Sequence, residues 1–304
     1  VPGVVTRLEA RLFGSRPAWL IARWWVAVHA FALGYLLVRL PAFWAVARRD
    51  RASFEPVGVL WWLPGPLPAA VWRLLILALL AAGVGAVAAA RARRWLGPVV
   101  LALFVVVTTY RSSWGQLLWF ENLLVVHLAI AAPAPVGGVA LRRHDARCPG
   151  WPLGLAATAT VVTYVLAGVA KLRAGGAAWI DGDTLAHHIG WSAARLRVLG
   201  GAPSPVAGWV LDARWALGAG ALVTVVAELA APLALVGRRA AAVWVTVMWS
   251  FHALIAVTML VVFPYPLLGL AFLPVWWCAA DPVATRPPDP TGPAAPDPTG
   301  PPQA

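Results

Sequence analysis

The sequence predicts an all-α integral membrane protein. The expected form is a polytopic bundle of about eight transmembrane helices, with seven as the alternative, plus one interfacial amphipathic helix. Three observations carry this reading. Of 304 residues, 61% are hydrophobic and 12% charged, against about 45–50% and about 25% in soluble domains. The apolar residues gather in runs that approach the roughly 20 residues needed to cross the hydrocarbon core. Many of the 19 Trp fall near the ends of those runs, where amphipathic rings favour the bilayer interface. Trp19, Trp24, Trp95, Trp114, Trp151, Trp276 and Trp277 are the examples. This composition argues against a soluble enzyme, a nucleic-acid module or a disordered chain. The net charge of +12 would suggest nucleic acid in a soluble protein. Here it places arginines against anionic headgroups, so the lipid bilayer is the expected partner and no nucleic acid is.

Eight runs are read in order. The first covers 18–40 and closes at Pro41; it is too long for the apolar core of a signal peptide and reads as a span. The second covers 69–90, the third 96–110, the fourth 115–132 and the fifth 153–170. The sixth covers 215–236, the seventh 240–262 and the eighth 265–280. The third and eighth are short, which keeps seven spans open. The runs are rich in Leu, Ala and Val without strict alternation, so helices are expected rather than a barrel. Two connections are long, 42–68 and 172–214. Within the second, 183–199 reads as an amphipathic helix capped by Asp183, with Leu185, Ile189, Leu196 and Leu199 on one face. Residues 1–17 form a basic N-terminal segment, 18–280 the membrane domain, and 281–304 a disordered tail repeating Pro-Asp-Pro-Thr-Gly-Pro.

Orientation follows the arginines of the short loops. Arg91, Arg93 and Arg94 share a side with Arg238 and Arg239, while the Pro264-Tyr265-Pro266 turn opposite carries no charge. A cell-membrane protein with both termini cytoplasmic is expected, with Arg111 and Lys171 assigned to the outer side.

Ionisable groups inside a bilayer cost about 2.5–3.5 kcal/mol each on the insertion scale, so each asks for a reason. Arg23, Arg39 and Arg73 lie near run ends and can snorkel. Glu121, Asn122 and His127 lie within the fourth run, with His127 pointing away from Glu121. Glu228 is mid-span in the sixth run and His252 lies in the seventh. Lys171 ends the fifth run and is the only lysine among 24 basic side chains. Where an anchor suffices the chain uses Arg, so Lys171 reads as a candidate amine base. That role needs a partly desolvated amine free of a permanent carboxylate partner, with Asp181 and Asp183 the nearest threats in sequence. No metal-ligand spacing occurs. Cys148 and Cys278 read as incidental.

The segments Tyr164–Leu172 (YVLAGVAKL), Ala177–Leu185 (AAWIDGDTL), Val225–Leu235 (VVAELAAPLAL) and Trp249–Leu273 (WSFHALIAVTMLVVFPYPLLGLAFL) occur in that order. Together they resemble the HTTM family, the horizontally transferred transmembrane domain related to the membrane part of vitamin K-dependent γ-carboxylase. The resemblance implies a quinone-linked redox or peptide-modifying enzyme in which Lys171 deprotonates a reduced quinone. His252 and Glu228 would join Lys171 in catalysis, with Glu121, Asn122 and His127 positioning the ring. A quinone is then the expected cofactor, with a quinone or a peptide as substrate. The cysteines offer no equivalent of the carboxylase bridge. The alternatives are a non-catalytic membrane subunit, an immunity or maturation factor, or a DoxX-like quinol-associated protein.

Overall fold

A computed structural model describes residues 2–115, 121–134 and 146–279. Among these the chain is almost wholly helical. The one sheet is a two-residue antiparallel pair, β1 (Arg16–Pro17) with β2 (Arg147–Cys148). The expected proline-rich tail, and residues 116–120 of the fourth run, lie outside the described residues.

The basic N-terminal segment folds as α1 (Pro2–Phe13). The first run becomes α2 (Ala18–Val38), ending two residues earlier than expected. Pro41 is accommodated in the first turn of α3 (Leu40–Ala45), where its missing N–H costs no helical bond. Residues 46–68 continue in short 3₁₀ turns. The second and third runs are α4 (Ala69–Ala88) and α5 (Arg93–Ser112). Arg93, expected in a loop, is buried and donates to the carbonyls of Ala86 and Val87, closing the C-terminal end of α4. The fourth run supplies only α6 (Asn122–Ala131) among the described residues.

The fifth run is α7 (Trp151–Gly175), the longest helix; it continues one turn past Lys171. After α8 (Ala177–Ile180) comes α9 (Asp183–Val198), close to the amphipathic helix expected. Its start differs: Gly182, at φ +90°, is the cap residue, and Asp181 Oδ1 accepts the Asp183 N–H. Its apolar side is divided. Ile189 packs on Ala207 and Leu217, whereas Leu199 is exposed.

The remaining runs are less regular. After α10 (Ala207–Asp212), the sixth run forms α11 (Arg214–Leu229) and then a 3₁₀ stretch, Ala231–Leu235. Pro232 explains the change, because it lacks an N–H and disfavours helical geometry at the preceding residue. The seventh run is α12 (Arg238–Met259). The eighth is not one helix. It is α13 (Pro264–Leu267), a 3₁₀ turn at Leu270–Phe272 and α14 (Leu273–Ala279), interrupted by three prolines and by Gly269 at φ +76°.

Among the described residues five helices, α2, α4, α5, α7 and α12, are long and apolar enough to cross a membrane. Their outward faces carry Leu74, Leu77, Val162, Leu166, Val243 and Leu254, all more than 40% exposed. Such apolar stripes suit lipid rather than water. The core holds Trp24, Trp25, Trp72, Phe43 and Phe104. Trp24 therefore departs from its expected place at the interface: it is fully buried against His127. Trp95 and Trp191 are exposed, as are Trp61, Trp62, Trp209 and Trp215.

The ends of the bundle are tied separately. At one, β1 meets β2 and the buried Arg16 donates to the carbonyl of Cys278, 3.2 Å away. There α1 lies against the start of α7, where a Cβ on Gly154 would stand 2.0 Å from the Leu12 carbonyl oxygen. At the other, Trp114 donates to the Asp50 carbonyl and Ser204 to the Val257 carbonyl. Replacing Gly154 by Ala should therefore unseat α1 and lower the unfolding temperature in detergent. Gly34→Ala, where nothing stands within 4 Å, should leave it unchanged or raise it. Thermal unfolding of the two variants makes the comparison.

Candidate functional site

One stripe of α7 organises the polar interior. Thr160, Tyr164, Gly168 and Lys171 recur at four, four and three residues, so they share a helix face. Gly168 sets the approach of α11. A Cβ there would lie 3.1 Å from the Glu228 Cβ and 3.1 Å from a Leu229 methyl. The missing side chain lets Glu228 reach the lysine. Lys171 Nζ donates to Glu228 Oε1 in an ion pair whose side chains are 16% and 2% exposed. The ammonium also faces Trp179 at 5.4 Å and Phe251 at 5.9 Å. Trp179 is itself held close to Gly175.

This geometry corrects one expectation. Lys171 is not free of a carboxylate, and neither of the sequence-near aspartates is the partner. Asp183 pairs with Arg214 at the exposed surface, and Asp181 Oδ1 accepts the Asp183 N–H. The partner is Glu228, 57 residues away in the chain. The amine is thus engaged by a carboxylate, where the expected role asked for one that is free.

His252 joins the same cluster from α12. Its Nε2 lies 2.7 Å from the Tyr164 hydroxyl, and its ring packs on Phe263 and Phe251. Two buried atoms here have no hydrogen-bond partner: Glu228 Oε2 and His252 Nδ1. If Tyr164 donates to Nε2, only an Nδ1–H donor remains unsatisfied on the ring. The opposite assignment would orphan the Tyr164 proton as well. Counting partners therefore favours a His252 that presents an Nδ1–H. The site then offers one free acceptor and one free donor beside a fixed ammonium.

His127 belongs elsewhere, as its helical angle indicated. It is fully buried, with Nδ1 2.7 Å from the Tyr265 hydroxyl and Nε2 3.2 Å from the Ala156 carbonyl. Because the carbonyl can only accept, Nε2 carries the proton and Tyr265 donates to Nδ1. Thr160 Oγ1, 3.1 Å from Nε2, donates to the Ala156 or Ala271 carbonyl.

Glu121 forms a third cluster just before α6. It accepts from Tyr35 of α2 and from Arg111 of α5, the latter at 3.1 Å. Arg111 was expected in an outer loop; it is 5% exposed and lies over the Phe43 ring. Asn122 is exposed, beside a groove of about 510 Å³ between α5 and α6, whose walls include Val105, Val125 and Glu121.

Of the six candidate residues, Lys171, Glu228 and His252 converge; Glu121 with Asn122, and His127, stand apart from them. Tyr164, Tyr35, Tyr265 and Arg111 were missed. A signal was available for the tyrosines. The chain has four, all are buried, and a buried phenol seeks a partner. Among the described residues no three metal-ligating side chains converge. His187 is exposed and bonds the Asp183 carbonyl, and His188 faces Trp179. Cys148 lies in β2, where burial pushes its thiol above the usual range and Arg147 opposes the effect. A thiol held protonated is a poor nucleophile. No protein-family model, curated protein or solved structure matches this chain.

Removing one member of a buried ion pair strands the other charge, at a cost of about 3–5 kcal/mol. Lys171→Met and Glu228→Leu should each destabilise by about that much. The double variant should recover most of the loss. Denaturation of the three variants in one detergent tests this, and a double variant no better than the singles would show that the two side chains do not pair.

Proposed function

We propose that this chain is a multi-pass membrane protein of the HTTM type, with eight crossings and both termini cytoplasmic. Its Lys171–Glu228–His252–Tyr164 cluster handles the proton of a quinol-type hydroxyl. The observation that carries the reading is the pair of unsatisfied buried atoms, Glu228 Oε2 and His252 Nδ1, beside the chain's only lysine. An acceptor and a donor next to a fixed cation suit an oxygen that loses a proton and becomes negative. Glu228 Oε2 takes the proton, Lys171 stays charged and stabilises the oxyanion, and His252 Nδ1–H orients the ring. Tyr164 holds the His252 tautomer. A bound quinol would supply the redox chemistry. The sequence resemblance, which implies Lys171 as base, supports the same position with the proton shared across a pair.

Extraction of purified protein checks this directly. Stoichiometric quinone is expected from the wild type and little from Lys171→Ala. A wild type without quinone, or a variant with equal occupancy, would overturn the assignment. Glu228→Gln should keep the quinone and lose turnover, because the amide bonds Lys171 but cannot accept a proton.

A structural lock is the second reading. It is favoured by the fact that three of the buried polar contacts join different helices: α7 to α11 through Lys171, α7 to α12 through Tyr164, and α6 to α7 through His127. Under that reading Lys171→Arg is silent in every assay.

The eight crossings rest on the alternation of tied ends along the chain. In a background lacking Cys148 and Cys278, single cysteines at Val5 and Val198, 60% and 86% exposed, should label from opposite sides of the membrane. Labelling from one side would remove a crossing between them.

A further inference from the structure

Between the Glu121 cluster and His127 lies a small void of about 10 Å³, bounded by Phe31, Tyr35, Glu121, Leu124, Pro264 and Tyr265. That is about the minimum space for one water. Three of the six lining side chains are polar. Tyr35 and Glu121 already bond each other, and the Tyr265 hydroxyl donates to His127 Nδ1, leaving its oxygen able to accept. A water there has two to four hydrogen-bonding partners, the number buried waters keep. Glu121 also borders the open α5–α6 groove, so one edge of its cluster is accessible from outside the core.

We infer that one water occupies this void and joins Glu121, Tyr265 and His127 into a proton relay that opens from the α5–α6 groove. The transfer balances without a further reactant. Protonated Glu121 gives its proton to the water, the water gives one to the Tyr265 oxygen, and Tyr265 gives its own to His127 Nδ1. Water and phenol end unchanged. A carboxylate remains beside Arg111, with Arg39 also within electrostatic range. An imidazolium forms with its Nε2–H on the Ala156 carbonyl. Glu121 regains a proton from the groove. The relay ends against Thr160, one turn of α7 below Tyr164. It is independent of whether Lys171 acts on a quinol.

The test uses the full chain in lipid nanodiscs, with tyrosine labelled at the ring carbon bearing the hydroxyl. Tyr265 is identified by loss of its signal in Tyr265→Phe. In the wild type the Tyr265 hydroxyl should exchange rapidly with solvent deuterium. Leu124→Phe fills the void without replacing a polar side chain and should slow that exchange about a hundredfold, the lower scale of a positioned proton donor. The rate at which the labelled His127 ring gains and loses a proton at mildly acid pH should fall in parallel. Leu124→Met is the milder filling variant if the larger ring impairs folding. Wild-type exchange at Tyr265 in a folded void-filled variant would overturn the inference. Slowed exchange at Tyr265 with an unchanged His127 rate would overturn it too, because the relay would end at the phenol.

Discussion

A carboxylate placed in hydrocarbon has no water to turn to, so it must meet a cation or a donor, or lose its charge. The bundle meets that constraint along α7. Gly168 removes a side chain so that α11 can approach, the approach brings Glu228 to Lys171, and the same face carries Tyr164 to His252 and Thr160 to His127. Packing and electrostatics are therefore coupled. A larger residue at 168 would push Glu228 away and leave two buried charges apart. The polar groups that look isolated in the sequence are the contacts that set how α6, α11 and α12 stand around this helix.

How far the sequence foretold this depends on distance along the chain. Apolar runs are local, so α2, α4, α5, α7 and α12 were readable to within a few residues, as was the span of α9. Helix breaks were less so. Pro232, Pro264, Pro266 and Pro274 are plain in the sequence, yet the sixth and eighth runs read as continuous there because composition alone does not weigh a lost N–H against a long apolar stretch. The site divided along the same line. Lys171, Glu228 and His252 were singled out because a charge in a span is conspicuous. Their partnership was not legible, since it spans 57 residues and hangs on one close helix contact. Arg111 was misplaced for a related reason. Near a run end a charge can snorkel, and only the fold reveals that Glu121 turns it inward. Trp24 shows the opposite error: a tryptophan near a run end is not thereby at the interface when its helix is central.

Irregular backbone just beyond α12 also has a role. The chain from Leu260 to Phe263 is not helical, and Leu260 adopts φ +53°, a left-handed conformation uncommon for a branched side chain. Here it ends at Phe263, which packs on His252, and leads into α13, which delivers Tyr265 to His127. A straight helix through this stretch would advance by a fixed 1.5 Å per residue and rotate each side chain by a set angle. The break frees Phe263 and Tyr265, two residues apart, to serve two different clusters.

The choice of lysine at 171, in a chain that otherwise uses arginine throughout, follows from the space and the chemistry around it. Nζ bonds Glu228 Oε1 while lying near the faces of Trp179 and Phe251. A compact ammonium can satisfy all three directions from one point. A guanidinium is planar and wide, and its fork favours both oxygens of a carboxylate. It would engage Glu228 Oε2, the one oxygen this arrangement leaves unpaired. Arginine would thus hold the helices together at least as well as lysine. What it would remove is the carboxylate lone pair that the lysine leaves free on Glu228 Oε2.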